Sequence, residues 1–127
     1  MHAHRDLTLD AHESTKARRH AKAMLTAIEI VRDEVSAWDQ VTQQEHVFGG
    51  TEFRVARRQL GHLHATFADL PFPRRVRDEL VRAGRARPHH VHPDSGWVSV
   101  PMRTSADAAN VVELFRQNYE RAVAGRH

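Results

Sequence analysis

Histidines are the residues of this chain whose type and spacing could do chemistry. The chain has 127 residues and 11 histidines. His62 and His64 lie two apart in a predicted strand, so their side chains point to the same face. His89, His90 and His92 follow in a segment that we predict to be extended, where His90 and His92 share a face. If the two segments are neighbours, three or four imidazoles converge at one place.

Converging imidazoles support two kinds of chemistry. A neutral imidazole accepts a proton at physiological pH, so a metal-free site could deprotonate an enol or phenol and stabilise the anion. Imidazole nitrogens also bind zinc, iron or copper, and Glu52 or Asp94 could add an oxygen ligand. Because no clear carboxylate or thiolate completes a ligand set, we favour the metal-free site and predict no cofactor. The remaining interpretation is that the histidines are structural and satisfy loops and turns.

Other residue types could contact a substrate beside these histidines. Trp97 lies on a predicted strand, where its ring could stack on a planar ligand or pack against the core. We predict His62, His64 and His90 as catalytic residues. The predicted substrate-binding residues are His89, His92, Trp97, Glu52 and Arg54.

Helical periodicity occurs in three stretches. Apolar residues at spacings of three and four predict a helix over residues 15–37, which Ser14 or Thr15 could cap. A short helix should begin at Pro73 and end at Gly84. A second long helix is predicted over residues 105–124.

Strand periodicity occurs between these helices. Alternating polarity predicts strands near residues 41–47, 52–56 and 60–65, with a break at Gly49-Gly50 and a turn near Arg57. These three strands should form an antiparallel meander, because their connections are too short for a parallel crossover. A further strand over residues 97–102 contains Pro101, which indicates a sheet edge. The stretch from Asp69 to Pro73 is predicted as a rigid connector. The predicted fold class is α+β, an antiparallel sheet packed against two long helices and one short helix.

Composition narrows the class of protein. The chain has no cysteine, which excludes disulfides and thiolate metal sites. No run approaches about 18 apolar residues, so we expect no membrane partner. The first ten residues lack the apolar region of a secretory signal, and we expect a cytoplasmic protein. We predict a flexible segment over residues 1–13 and a single domain over residues 14–127.

A basic surface offers a rival function. The formal net charge is +3, and the basic excess concentrates between Arg74 and Arg87. Such a stretch could bind nucleic acid, or it could be a solvated helix face. Asp78 and Glu79 interrupt it and no aromatic residues are interleaved for base stacking, so we favour the solvated face. The nucleic-acid alternative would use Arg54, Arg57, Arg58, Arg74, Arg75, Arg77, Arg82 and Arg85.

Five short strings, taken together and in order, resemble one known family. They are Phe48-Gly49-Gly50-Thr51-Glu52-Phe53-Arg54, Gly61-His62-Leu63-His64, Asp69-Leu70-Pro71-Phe72-Pro73, Arg87-Pro88-His89-His90-Val91 and Ser95-Gly96-Trp97-Val98. This set resembles the small bacterial luciferase-domain proteins, which share their domain with fungal luciferase, and the likeness spans roughly residues 38–123. More loosely, the strand–helix–strand–helix ending resembles the MmcQ/YjbR proteins, whose double-wing α+β fold is sometimes linked to DNA binding.

The first resemblance implies a small-molecule site. Fungal luciferase oxidises a hydroxylated styryl-pyrone with molecular oxygen, without a metal or flavin. If this domain keeps that type of site, it is a cofactor-free oxygenase-like enzyme whose histidine cluster acts on a planar, enolisable compound. The chain departs from the fungal enzymes in being much shorter and in lacking their N-terminal hydrophobic segment. A shared domain does not carry function with it.

Overall fold

The computed structural model describes residues 25–45 and 49–125. The segment predicted as flexible and the part of the first predicted helix before Leu25 lie outside these residues. The described elements are α1 (Ala27–Ser36), β1 (Val41–Glu45), β2 (Thr51–Val55), β3 (Arg58–Leu63), β4 (Phe67–Pro71), α2 (Arg74–Arg82), β5 (Arg87–Pro88), β6 (Trp97–Pro101) and α3 (Ser105–Ala124).

The strands form a six-stranded sheet in the order β1-β2-β3-β4-β6-β5. Every pairing in it is antiparallel. Strands β1 to β4 are a meander, after which α2 carries the chain to β5 at the far edge and β6 returns beside β4. The α+β class predicted from the sequence is confirmed.

The two longer helices begin at side-chain caps. The Thr26 hydroxyl accepts a hydrogen bond from the Glu29 backbone N–H at 3.3 Å, while the Glu29 carboxylate accepts one from the Thr26 N–H at 3.0 Å. Thr104 and Asp107 form the same reciprocal pair before α3. These caps satisfy N–H groups that have no partner within the helix. Because Thr26 is extended, α1 starts there, and the prediction of one helix continuous from residue 15 to 37 is wrong at this point.

One face of the sheet forms the core with α1 and α3. Phe53 and Phe115 meet edge to face with ring centroids 5.7 Å apart. Successive side chains of a strand point to opposite faces of the sheet, so the apolar residues that alternate with polar ones point to this side. The fully buried side chains include Val31, Val35, Phe53, Val55, Leu60, Leu63, Leu70, Val98, Val100, Met102, Leu114 and Phe115.

Strand β4 lies where the sequence predicted the start of a connector. It pairs with β3 through His62 opposite Asp69, and with β6 through Asp69 opposite Ser99. The prediction was wrong because an aspartate followed by two prolines is typical of a loop. Here Pro71 comes at the end of the strand, and the aspartate is buried.

Pro101 was predicted to mark a sheet edge, and the structure explains its place differently. Strand β6 lies between β4 and β5, but β5 pairs only with residues 98 and 99 of it. The backbone N–H of Met102 donates to Thr66 on the β4 side at 2.8 Å. Since successive N–H groups alternate in direction, the Pro101 nitrogen faces the side that β5 does not reach. The missing donor therefore breaks no ladder bond.

A bulge in β3 sets the direction of its histidines. Phe53 pairs with Gly61 and Arg54 pairs with Gln59, so Leu60 is the extra residue. Leu60 and Gly61 both lie on the core side, and the alternation then resumes with His62 on the opposite face. Gly61 has a φ of 154°, and a Cβ there would lie 3.0 Å from the Phe115 ring.

Candidate functional site

The sheet face opposite the helices carries a row of polar residues, one from each strand. Each member is paired in register with the next. In β3, β4 and β6 the residues on either side of it along the strand are buried on the other face. From β1 to β5 the row is Gln44, Glu52, His62, Asp69, Ser99 and Arg87.

Asp69 lies at the centre of this row and gathers three imidazoles. Its Oδ2 atom is 3.2 Å from Nε2 of His62, 3.2 Å from Nε2 of His64 and 3.4 Å from Nε2 of His89. Asp69 is 1% exposed and His62 is 8% exposed. The site is therefore a buried carboxylate surrounded by imidazoles from a strand and a loop.

The second oxygen of Asp69 connects to a fourth histidine. The Ser99 hydroxyl donates to Asp69 Oδ1 at 2.6 Å. The Ser99 oxygen lies 3.4 Å from Nδ1 of His90. Because the Ser99 proton is used on the carboxylate, its oxygen accepts from His90, which places the ring proton on Nδ1 and leaves Nε2 with a lone pair.

The loop from His89 to Gly96 is curled rather than extended. Nδ1 of His89 accepts the backbone N–H groups of Val91 and His92, each at 3.1 Å. A nitrogen that accepts has no proton, so the neutral His89 ring carries its proton on Nε2, which faces Asp69. The prediction that His90 and His92 share a strand face is therefore wrong. Instead, the rings of His90 and His92 both stack with His89.

The charge states of the cluster follow from its contacts. Burial raises the pKa of Asp69, but hydrogen bonds from His62 and Ser99 and the neighbouring imidazoles outweigh it and lower that pKa to about 2. Burial lowers the pKa of His89 more than the Asp69 carboxylate raises it. Asp69 is thus an anion at neutral pH, and His89 is a neutral donor to it.

Aromatic rings border the cluster. Phe67 stacks on His64 with centroids 4.3 Å apart and meets the edge of His90 at 5.6 Å. The centroid of the Trp97 ring lies 5.5 Å from that of His62 and 6.2 Å from that of His89. These rings could hold a planar ligand next to the imidazoles.

Glu52 and Arg54 lie on the same face, both in β2, which is two strands from the strand of Asp69. The Glu52 carboxylate accepts from Arg54 Nε and, at 3.2 Å, from the Gln44 amide. Arg54 also donates to the Arg57 carbonyl at 3.2 Å. The two residues predicted as substrate-binding thus form an ion pair beside the cluster.

An open groove of about 440 Å³ adjoins the cluster on the β6 side. His90, Ser99 and Phe67 form its boundary with the cluster, and Arg87 and Arg103 line it with exposed guanidinium groups. Among the described residues neither guanidinium is within 4.0 Å of a carboxylate. The groove therefore offers an aromatic wall, a histidine lone pair and two cations to a ligand.

Sequence reasoning found the histidines but missed the residues that join them. The predicted set His62, His64, His89 and His90 comes together, with His92 stacked outside His89. The missed residues are Asp69, Ser99, Phe67, Arg87 and Arg103. A signal for Asp69 was present, since an acidic residue between Ala68 and Leu70 fits an alternating strand. Ser99 alternates with Val98 and Val100 in the same way.

Two sets of residues have the composition of a metal site. His62, His64 and Asp69 each offer one atom, and these atoms lie within 4.8 Å of one another. Asp69, His89 and His90 form a second such set. Imidazole and carboxylate together suit zinc, iron, manganese and related divalent ions.

Comparison with known proteins gives one match. Residues 57–118 match the family described as the luciferase domain. No curated protein and no solved structure matches the chain. The matched segment contains His62, His64, Asp69, His89, His90, Trp97 and Ser99, whereas Glu52 and Arg54 precede it. The resemblance to the luciferase-domain family inferred from the sequence is thus confirmed over residues 57–118, a shorter stretch than the expected residues 38–123.

Proposed function

We propose that this domain binds a planar, enolisable small molecule in the groove beside the histidine cluster and acts on it as an oxygenase. The observation that carries the proposal is the hydrogen-bonded chain from Asp69 through Ser99 to His90, which ends at the groove. The luciferase-domain match of residues 57–118 supports the reaction class.

His90 is the general base in this proposal. The Asp69 carboxylate polarises the Ser99 hydroxyl, and that hydroxyl orients the imidazole through Nδ1. The Nε2 lone pair of His90 is then available to a substrate proton, and an imidazole has a pKa suited to proton transfer near neutrality. The 3.4 Å contact between Ser99 and His90 would shorten when a ligand closes the groove.

The anion that forms needs stabilisation and an electron acceptor. Arg87 and Arg103 line the groove and favour a negative oxygen by charge, while Phe67 packs against the planar ring system. The enolate supplies electrons from its carbon to dioxygen, a carbon–oxygen bond forms, and the oxygen is reduced to the peroxide level. The proton held by His90 then goes to the peroxide. No organic cofactor is needed for this sequence.

The test uses flavonols and 3-hydroxy-2-pyrones as probes, because their enolates absorb at longer wavelength than the neutral enols. We expect the wild-type protein to produce the enolate band on binding and to consume dioxygen with at least one probe. His90→Gln should lower the rate by roughly 10²–10⁴-fold, the usual contribution of a general base.

The matched control is Val91→Ala, which changes an exposed side chain of the same loop. It should behave as wild type. Enolate formation that persists unchanged in His90→Gln would contradict the assignment of the base. Absence of both binding and dioxygen uptake across the probes in the wild type would contradict the proposed function.

A further inference from the structure

We propose that His62, His64 and Asp69 bind a divalent transition metal ion. His62 lies in β3 and His64 directly follows the end of that strand, and the carboxylate faces them from β4. This inference is independent of the proposed function, since it concerns binding of an ion in the absence of any substrate.

The distances around Asp69 fit a coordination sphere. Oδ2 lies 3.2 Å from Nε2 of His62 and 3.2 Å from Nε2 of His64. Nitrogen and oxygen ligands lie about 2.0–2.2 Å from such a metal, so neighbouring ligand atoms are about 3.0–3.4 Å apart. The two strands thus hold the oxygen and each nitrogen at the spacing of ligands that share one ion.

Crowding at Oδ2 gives a second argument. In the absence of an ion, that single oxygen has three imidazole Nε2 atoms within 3.4 Å. A carboxylate oxygen has two lone pairs and cannot accept three good hydrogen bonds. An ion between Asp69, His62 and His64 replaces two of these contacts and leaves the oxygen one hydrogen bond, from His89.

His89 fits the role of the residue that orients this ligand. Its Nδ1 accepts the N–H groups of Val91 and His92, so Nε2 carries a proton and donates rather than coordinates. Ser99 donates to Oδ1. Hydrogen bonds of this kind to a ligating carboxylate fix its orientation, and their loss typically weakens metal binding about 10–100-fold.

The composition of the set indicates which ions it takes. Two imidazoles and one carboxylate leave coordination positions of the ion open. This is the ligand set of non-haem iron(II) sites, and zinc, cobalt and manganese accept the same ligands. Calcium and magnesium prefer oxygen ligands and should compete poorly. The sequence alone disfavoured a metal because no carboxylate joined the histidines, and Asp69 supplies it.

The experiment titrates cobalt(II) into untagged, chelator-treated full-length protein and follows the visible absorption of the bound ion. We expect one ion per chain, displaced by zinc and unaffected by millimolar magnesium. His64→Ala should lower the affinity by more than about 100-fold, beyond the loss expected for an outer hydrogen bond, and His89→Ala by about 10–100-fold.

Asp69→Asn should also abolish binding, but a change at this buried residue could unfold the chain. His64 therefore carries the test, because its side chain is 25% exposed, and circular dichroism of His64→Ala reports whether it remains folded. Val91→Ala is the matched control and should bind as wild type. Binding that survives in folded His64→Ala with unchanged affinity, or the absence of stoichiometric binding in the wild type, would overturn the proposal.

Discussion

Asp69 is an ionised carboxylate with 1% of its surface exposed, and its stability depends on the donors around it. Removing a carboxylate from water is unfavourable by several kcal/mol unless charged or polar partners compensate. His62, His64, His89 and Ser99 are those partners. Removing any one of them should therefore affect both the carboxylate and the imidazoles that share it.

The depressed pKa of Asp69 makes stability depend on pH. The pKa is about 2 in the folded protein against an ordinary value of 3.8, which corresponds to about 2 kcal/mol of folding free energy above pH 4. Because the folded pKa is the lower one, this stability is present at neutral pH and is lost as pH falls from about 4 to about 2. Urea unfolding of the chelator-treated proteins should measure this. The difference in free energy of unfolding between wild type and Asp69→Asn should shrink as pH falls over that range.

The control for this measurement is Asp94→Asn, which alters an exposed carboxylate of the loop. Its effect should stay within about 0.5 kcal/mol at neutral pH, as is usual for surface substitutions. If the difference in free energy of unfolding between wild type and Asp69→Asn were the same at pH 7 and pH 2, the charge of Asp69 would not be the source of that stability.

Ser99 is a positioning residue, because it acts on the proposed base through its hydroxyl. Ser99→Ala removes the donor to Asp69 and the acceptor for His90, and it should lower stability by about 1 kcal/mol. It should also lower the rate of enolate formation, whereas Ser99→Thr keeps the hydroxyl on a strand-compatible residue and should restore that rate. Equal rates in Ser99→Ala and wild type would remove Ser99 from the proton path.

Among the secondary-structure elements, the bulge in β3 links the site to the core. Gly61 lets the backbone of β4 and the ring of Phe115 approach closely, while the residue after it points to the opposite face. A change at Gly61 should therefore disturb both the packing of α3 and the direction of His62.

Gly61→Ala places a methyl group 2.9 Å from the Asp69 carbonyl oxygen and 3.0 Å from Leu70 Cγ. We expect destabilisation by about 1–3 kcal/mol, the usual effect of overpacking, together with weaker cobalt binding. Gly84→Ala is the comparison, since it also has a positive φ but meets nothing within 4 Å. Thermal or urea unfolding should show a smaller loss for Gly84→Ala, and the reverse order would refute this account.

The curled loop is tied to α2 by one side chain. Arg77 donates to the Pro93 carbonyl, and at 2.9 Å to Asp78. Arg77→Ala should free residues 89–96, raise their hydrogen exchange and reduce probe binding. Arg75→Ala removes an arginine of the same helix that is almost fully exposed, and it should leave loop exchange unchanged. Exchange that is equal in the two variants would show that Arg77 does not restrain the loop.

The elements also show where sequence reasoning succeeds. His62 and His64 were placed on one face because strand alternation is a local property that survives the bulge. Asp69 was missed because its role depends on β4 pairing with both β3 and β6. Ser99, its partner in β6, lies 30 positions further along the chain. The curl at His89 was missed because a side chain, rather than a backbone pattern, bonds the turn.

The surface charge of the whole molecule bears on the rival function. Several arginines of the stretch from Arg74 to Arg87 are already engaged within the protein. Arg77 lies 2.9 Å from Asp78 and also donates to the Pro93 carbonyl, and Arg85 donates to Asn110 at 3.0 Å. None of the described helices has the length and apolar character to cross a bilayer.

We expect only weak, salt-sensitive binding of oligonucleotides. Fluorescence anisotropy with duplex and single-stranded probes should give no tight complex at physiological salt, and Arg74→Ala combined with Arg75→Ala should change little. Tight binding that this double variant abolishes would establish the nucleic-acid alternative instead.

The polar row on the open sheet face has a consequence for engineering. Asp69 lies between His62 and Ser99 on the open face of the sheet. Helices α1 and α3 pack on the other face of the same strands. Positions such as Phe67, Trp97 and Pro101 can then be randomised in a combinatorial library with the core sequence held constant. Such a library would sample new ligand preferences on a scaffold whose folding depends mainly on residues that the library does not alter.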